Sequence, residues 1–165
     1  MSVLPLPKHF DQNEWFMIIT LVLTNFIVFL LRKKFSKSKI ILIVLFSATL
    51  ARFVDHLGAT PVIDLYDISD TGKFEFFDIV SYFLYPPFAV LMIYFYKKMD
   101  IAGIKTLWYL LVWSVLAVAY EWVAVIFDVY KFKTWEHVYS LPVYLLSQYI
   151  TILFYRFIKE KYKKS

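Results

Sequence analysis

Four ionisable side chains, Arg52, Asp55, Asp78 and Glu121, stand within or at the edge of otherwise apolar stretches, and His56 adjoins the second of them. Charged groups are costly in hydrocarbon, so those that occur usually face a bundle interior or a wet cavity. One cation among three carboxylates leaves an excess of acid, which suits proton exchange or the binding of a cationic ligand. The alternative is structural: Arg52 neutralises Asp55 or Glu121 in a buried pair that fixes helix register. Both readings stand at this point. His56 titrates near neutrality and so qualifies as a proton carrier or ligand, but its place at the end of an apolar run suits an interfacial, hydrogen-bonding role better. These five residues are the candidate ligand or ion-binding positions.

Other chemistries lack the residues they need. Cysteine is absent, which removes disulfides, thiolate metal sites, iron–sulfur ligation and thiol nucleophiles. Metal binding needs three or four convergent ligands, and no His-x-x-x-His or similar spacing occurs, so no metal is expected. The three glycines, Gly58, Gly72 and Gly103, are scattered, which excludes a glycine-rich phosphate loop. Neither a Gly-x-Ser-x-Gly elbow nor a His-Glu-x-x-His zinc helix is present. Every lysine falls in an expected loop or tail, so a retinal Schiff base within a helix is excluded. No cofactor and no catalytic residue is expected. A lipid-modifying enzyme built on Glu121, Asp55 and Arg52 is the remaining enzymatic reading, and it is the less favoured one.

The elements that must position these residues are membrane helices. At 165 residues, 61% apolar and 21% aromatic, with mean hydropathy +0.62, the chain is too apolar for a soluble domain of this size. Five apolar runs appear, at about 15–31, 40–58, 76–96, 106–127 and 139–157. The first is preceded by Asp11 and Glu14 and followed by a basic block, the reverse of a cleaved signal peptide, and reads as a retained helix. The second is free of charge only from Ile40 to Ala51. Those 12 residues cover about 18 Å against a hydrocarbon core of roughly 30 Å. It therefore spans only if Arg52 and Asp55 enter the membrane, which calls for interior partners such as Glu121 or Asp78.

Orientation follows from lysine and arginine. Thirteen flank one side, at 32, 33, 34, 37, 39, 97, 98, 105, 156, 159, 161, 163 and 164, against Lys8, Lys73, Lys131 and Lys133 on the other. The basic side is expected to be cytoplasmic. The expected fold is thus all-α, a single-domain integral membrane bundle of five transmembrane helices over 1–165, N-terminus outside and C-terminus cytoplasmic. Trp15, Phe76, Phe77, Trp122, Trp135 and Tyr139 would form the outer aromatic belt. No internal repeat points to an inverted-repeat transporter. The basic residues are explained by topology, so nucleic acid is not an expected partner.

Counting 1.5 Å per residue from the cytoplasmic boundaries places Arg52 at roughly 18 Å, Asp55 and Glu121 at roughly 22 Å and Asp78 at roughly 27 Å, all in the outer half. Helical spacing aligns Ser47, Ala48, Ala51, Arg52, Asp55 and Gly58 on one face, and Ser114, Ala117, Glu121, Ala124 and Asp128 on another. Small residues allow close helix approach, so both stripes should point inward. Asp78 continues the pattern with Ser81, Tyr82 and Tyr85. Pro86 and Pro87 deprive the Tyr82 and Phe83 carbonyls of their usual donors, and a kink is expected. The acidic stretch 64–72 does not match a calcium-binding loop and reads as a short interfacial helix and turn.

Phe77-Asp78, Tyr85-Pro86, Glu121, Trp135 and Tyr139-Ser140, within Ile40 to Phe157, together form a loose pattern. It resembles a family of small multi-pass membrane proteins of endospore-forming Gram-positive bacteria. The resemblance implies a bacterial inner membrane location and weight on Asp78 and Glu121. It supplies neither an activity nor a substrate, and the extended first span and Arg52-x-x-Asp55-His56 depart from it.

The first functional expectation is a non-enzymatic scaffold or accessory subunit, docking lipid, a protein partner or a second copy through a bundle organised by a buried polar network. The alternative is a small transporter or ligand-binding protein using the outer cluster. A scaffold should show its carboxylates paired and dry, and a ligand handler should show a cavity reaching them.

Overall fold

The computed structural model describes residues 7, 10–31, 36–58, 64–68 and 76–161. Its helices are α1 (Gln12–Leu31), α2 (Lys37–Gly58), α3 (Phe76–Tyr82), α4 (Tyr85–Lys98), α5 (Lys105–Ile126) and α6 (His137–Lys161), with two short strands, β1 (Tyr66–Ile68) and β2 (Tyr130–Phe132). Taking α3 and α4 as one interrupted span, five helical segments are long and apolar enough to cross a membrane. Large apolar side chains such as Val22, Phe26, Leu45, Phe53, Val112 and Leu146 are exposed around the outside, as a bundle facing lipid requires.

The helix ends follow from local chemistry. At the start of α1 the Glu14 carboxylate accepts the Asp11 backbone N–H at 2.8 Å, the returning half of a capping box. The third span breaks at 83–84, just before the proline pair. Pro86 and Pro87 begin α4, where a missing N–H costs nothing, and Phe83 and Leu84 donate instead to Val80 and Ser81, each at 3.0 Å. The expected kink is therefore a break between two helices. At the end of α5, Asp128 takes positive φ, Val129 N–H reaches Ala124 O at 2.9 Å and Asp128 N–H reaches Val125 O at 3.1 Å. This Schellman closure turns the chain out of the bundle towards β2.

β1 pairs antiparallel with β2, setting Tyr66 opposite Phe132 and Asp67 opposite Lys131. The helix expected in 64–72 is thus a strand over 66–68, and 69–72 lie outside the described residues. The ladder supplies backbone partners that a lone interfacial turn lacks. It also puts the α2–α3 and α5–α6 connections at one end. Gln12 Nε2 donates to Asp128 Oδ2 at 2.5 Å, bringing the start of α1 to the same end. Helix α5 packs on α6, while α2 packs on α4 and α6. At the opposite end a closed core forms around Ile43, Ile93, Leu110, Ile152 and Ile158. There Arg156 Nε donates to the Tyr96 hydroxyl at 3.0 Å.

Candidate functional site

Between α2, α4, α5 and α6 lies a cavity of about 460 Å³, within the range that holds small molecules. Leu50, Phe88, Leu91, Met92, Trp113 and Leu116 line its apolar body. The end nearest β1 and β2 is lined by Tyr66, Tyr130 and Phe132, and it carries Asp55 and Glu121. The small residues of both stripes make the space: Ser47 and Ala51 on α2 and Ala117 on α5 face it.

Glu121 is buried and fully supplied with donors. Ser140 Oγ donates to Oε1 at 2.7 Å, Tyr144 Oη donates to Oε2 at 2.7 Å, and His137 Nδ1 lies 3.1 Å from Oε1. Trp135 Nε1 donates in turn to Ser140 Oγ at 2.8 Å. A carboxylate with this many donors is held in place by its neighbours.

Asp55 differs. Only 6% of it is exposed; Oδ1 accepts the Tyr66 hydroxyl at 3.1 Å, while Oδ2 has no hydrogen-bond partner among the described residues. Tyr66 is seated by α2 itself. A methyl group on Gly58 would stand 2.5 Å from Tyr66 Cε1, so the absence of a side chain there lets the ring lie against the helix. The Tyr66 ring meets Tyr130, Phe132 and Trp135 at centroid distances of 6.3, 6.2 and 6.1 Å. The hydroxyls of Tyr130 and Tyr85 lie 2.6 Å apart. Burial, then the nearby Asp55 charge, push the Tyr66 and Tyr130 phenols above their ordinary range, so both remain neutral donors.

Arg52 does not enter this site. It lies on the exposed side of α2, donates to the Tyr82 hydroxyl and stacks over the Tyr82 ring, 4.6 Å from its centroid. The expected buried pair with Asp55 or Glu121 is not formed: Tyr66 and the His137, Ser140 and Tyr144 set serve those acids instead. Arg52 is only six residues from the end of α2, about 9 Å, close enough for a long side chain to carry its charge beyond an apolar stretch. An interior partner was therefore not required for α2 to be long and apolar enough to span.

His56 is exposed and does not line the cavity. Asp78 is buried in the first turn of α3, where an acid complements the helix dipole, and it too stands apart from the cavity lining. Of the expected belt, Trp15, Phe76, Trp122 and Tyr139 are exposed, but Phe77 is buried and Trp135 turns inward to Ser140. Asp64 and Asp67 both meet Lys133, at 2.7 and 3.0 Å. Their hydrogen bonds raise the lysine above its usual range. Among the described residues no group of three or more His, Cys, Asp or Glu converges as a metal site would.

The sequence reading assigned no site role to Tyr66, Tyr130, His137, Ser140 or Tyr144. The last three share one face of α6 at helical spacing, continued by Ser147, Gln148 and Thr151. That polar stripe was the available signal. Comparison with protein families, curated proteins and solved structures finds no match for this chain, so the cavity and its two carboxylates stand as the functional description.

Proposed function

We propose that this chain is a ligand-binding protein of the bacterial inner membrane, N-terminus outside and C-terminus cytoplasmic, and that its bundle holds an amphipathic small molecule. One observation carries the reading: an apolar cavity runs from the middle of the bundle to a buried carboxylate oxygen with no donor among the described residues. A buried acceptor of this kind costs about 1–3 kcal/mol unless a donor reaches it. A ligand with an apolar body and a hydrogen-bond-donating head meets both halves of the cavity. The orientation rests on the lysine and arginine imbalance, and the bacterial setting on the family resemblance.

The scaffold reading draws support from Glu121. Its set of donors joins α5 to α6 as a register-fixing network would. The two roles are compatible, with Glu121 organising the bundle that Asp55 serves.

Native mass spectrometry of the detergent-purified protein tests the proposal. The expected result is a one-to-one small-molecule adduct that survives mild activation. A bare chain mass, with no adduct on adding apolar amines or alcohols, overturns it.

A further inference from the structure

Resting on the ligand-binding reading, we propose that the head of the ligand is a cation, an ammonium group held between Asp55 and the tyrosine cage at the outer end of the cavity. Three features of the site point the same way.

The first is charge. Among the described residues lining the cavity are Asp55 and Glu121, and no lysine, arginine or histidine. Glu121 receives three contacts from α6, one of them from His137, which stands behind it. Asp55 has no such supply. Arg52 lies three positions earlier but on the exposed side of α2, stacked on Tyr82. No cationic side chain among the described residues lining the cavity faces Asp55, which leaves that carboxylate open to a cation entering the cavity.

The second is the walls. Tyr66, Tyr85, Tyr130, Tyr144, Phe132 and Trp135 surround the carboxylate end. Their ring faces carry the negative side of the aromatic quadrupole, which attracts ammonium groups. The edge-on contacts of the Tyr66 ring with Tyr130 and Trp135 hold those faces at angles to one another, as enclosure of a compact cation requires. An anionic head would meet two acids and these ring faces, and is disfavoured on both counts.

The third is the apolar body. Leu50, Phe88, Met92, Trp113 and Leu116 offer no charge, so the ligand carries one cationic end and an uncharged hydrocarbon or aryl remainder.

The test compares probes that differ only at the head: 4-phenylbutylammonium, 4-phenylbutanol and 5-phenylpentanoate. Their affinities for the full chain in an uncharged maltoside detergent are read by calorimetry and by quenching of Trp113 and Trp135. The cation is expected to bind at least about tenfold more tightly than the alcohol, a difference of about 1.4 kcal/mol, with the carboxylate weakest. Asp55→Asn should remove that preference, bringing the affinities for cation and alcohol to within about twofold of each other. Equal binding of cation and alcohol, or an Asp55→Asn protein that keeps the preference, overturns the cationic head and leaves the ligand-binding reading standing. Binding of none of the three, together with a bare mass in native spectrometry, overturns both.

Discussion

The two ends of the bundle are built from the same helices but packed differently. At the end read as cytoplasmic, Ile43, Ile93, Ile152 and Ile158 are buried to 3% exposure or less and interlock with Leu110 and Tyr155. At the other end small residues on α2 and α5 face a common centre that no large side chain fills. Two strands close that centre over a cavity with two acids. The same contrast appears between the acids. Glu121 is satisfied by the protein, whereas Asp55 is satisfied at one oxygen only. A polar group kept for architecture brings its own partners. One kept for a ligand holds part of its capacity in reserve, and the energetic consequences of removing each should differ accordingly.

The largest expected effect is at Glu121. Glu121→Ala strips the acceptor from Ser140 and Tyr144, and two buried hydroxyls without partners cost about 3 kcal/mol or more. Asp55→Asn keeps an acceptor for Tyr66 and should change stability by less than about 1 kcal/mol. Thermal melting in one detergent checks both, and equal losses would erase the distinction between the two acids. Gly58→Ala is next. Its methyl displaces the Tyr66 ring from α2, at a cost of about 1–3 kcal/mol, and should weaken ammonium binding through the lost Tyr66–Asp55 contact.

The smallest effect is alkaline. Burial holds the Tyr66 and Tyr130 phenols above their ordinary range in the folded chain, while an unfolded phenol ionises near pH 10. Their contribution to stability is therefore fully present below about pH 10 and is lost as pH rises beyond it. In an ultraviolet titration of the folded protein, Tyr130→Phe should leave the amplitude of the transition near pH 10 unchanged. A loss of one phenol's worth of amplitude would place Tyr130 in solvent.

Much of this contrast was legible in the sequence, and its limits have physical causes. The five apolar runs and their basic flanks mark the spans because length and hydropathy are local properties. The stripes through Ser47, Ala51 and Asp55 and through Ser114, Ala117 and Glu121 were read correctly because helical spacing alone fixes which residues share a face. Arg52 was misplaced because three residues of helix rotate it only part of the way round from Asp55, and its long stem reaches outward from the edge of the stripe. The Tyr66 contact with Asp55 depends on two three-residue strands pairing across 62 to 66 positions of chain, which no local pattern announces. The partners of Glu121 were visible as an uncharged polar face on α6, yet hydroxyls and an amide in an apolar run were passed over in favour of charges.

The central claim is that the cavity beside Asp55 is a binding site and not a packing defect. Filling it from α5 separates the two, because Ala117 faces the space without serving either acid. In native mass spectrometry and phenylbutyl ammonium titration of Ala117→Trp, the account predicts loss of the adduct and at least about tenfold weaker binding, with the melting temperature unchanged or raised. Undiminished binding by a folded Ala117→Trp protein would contradict it.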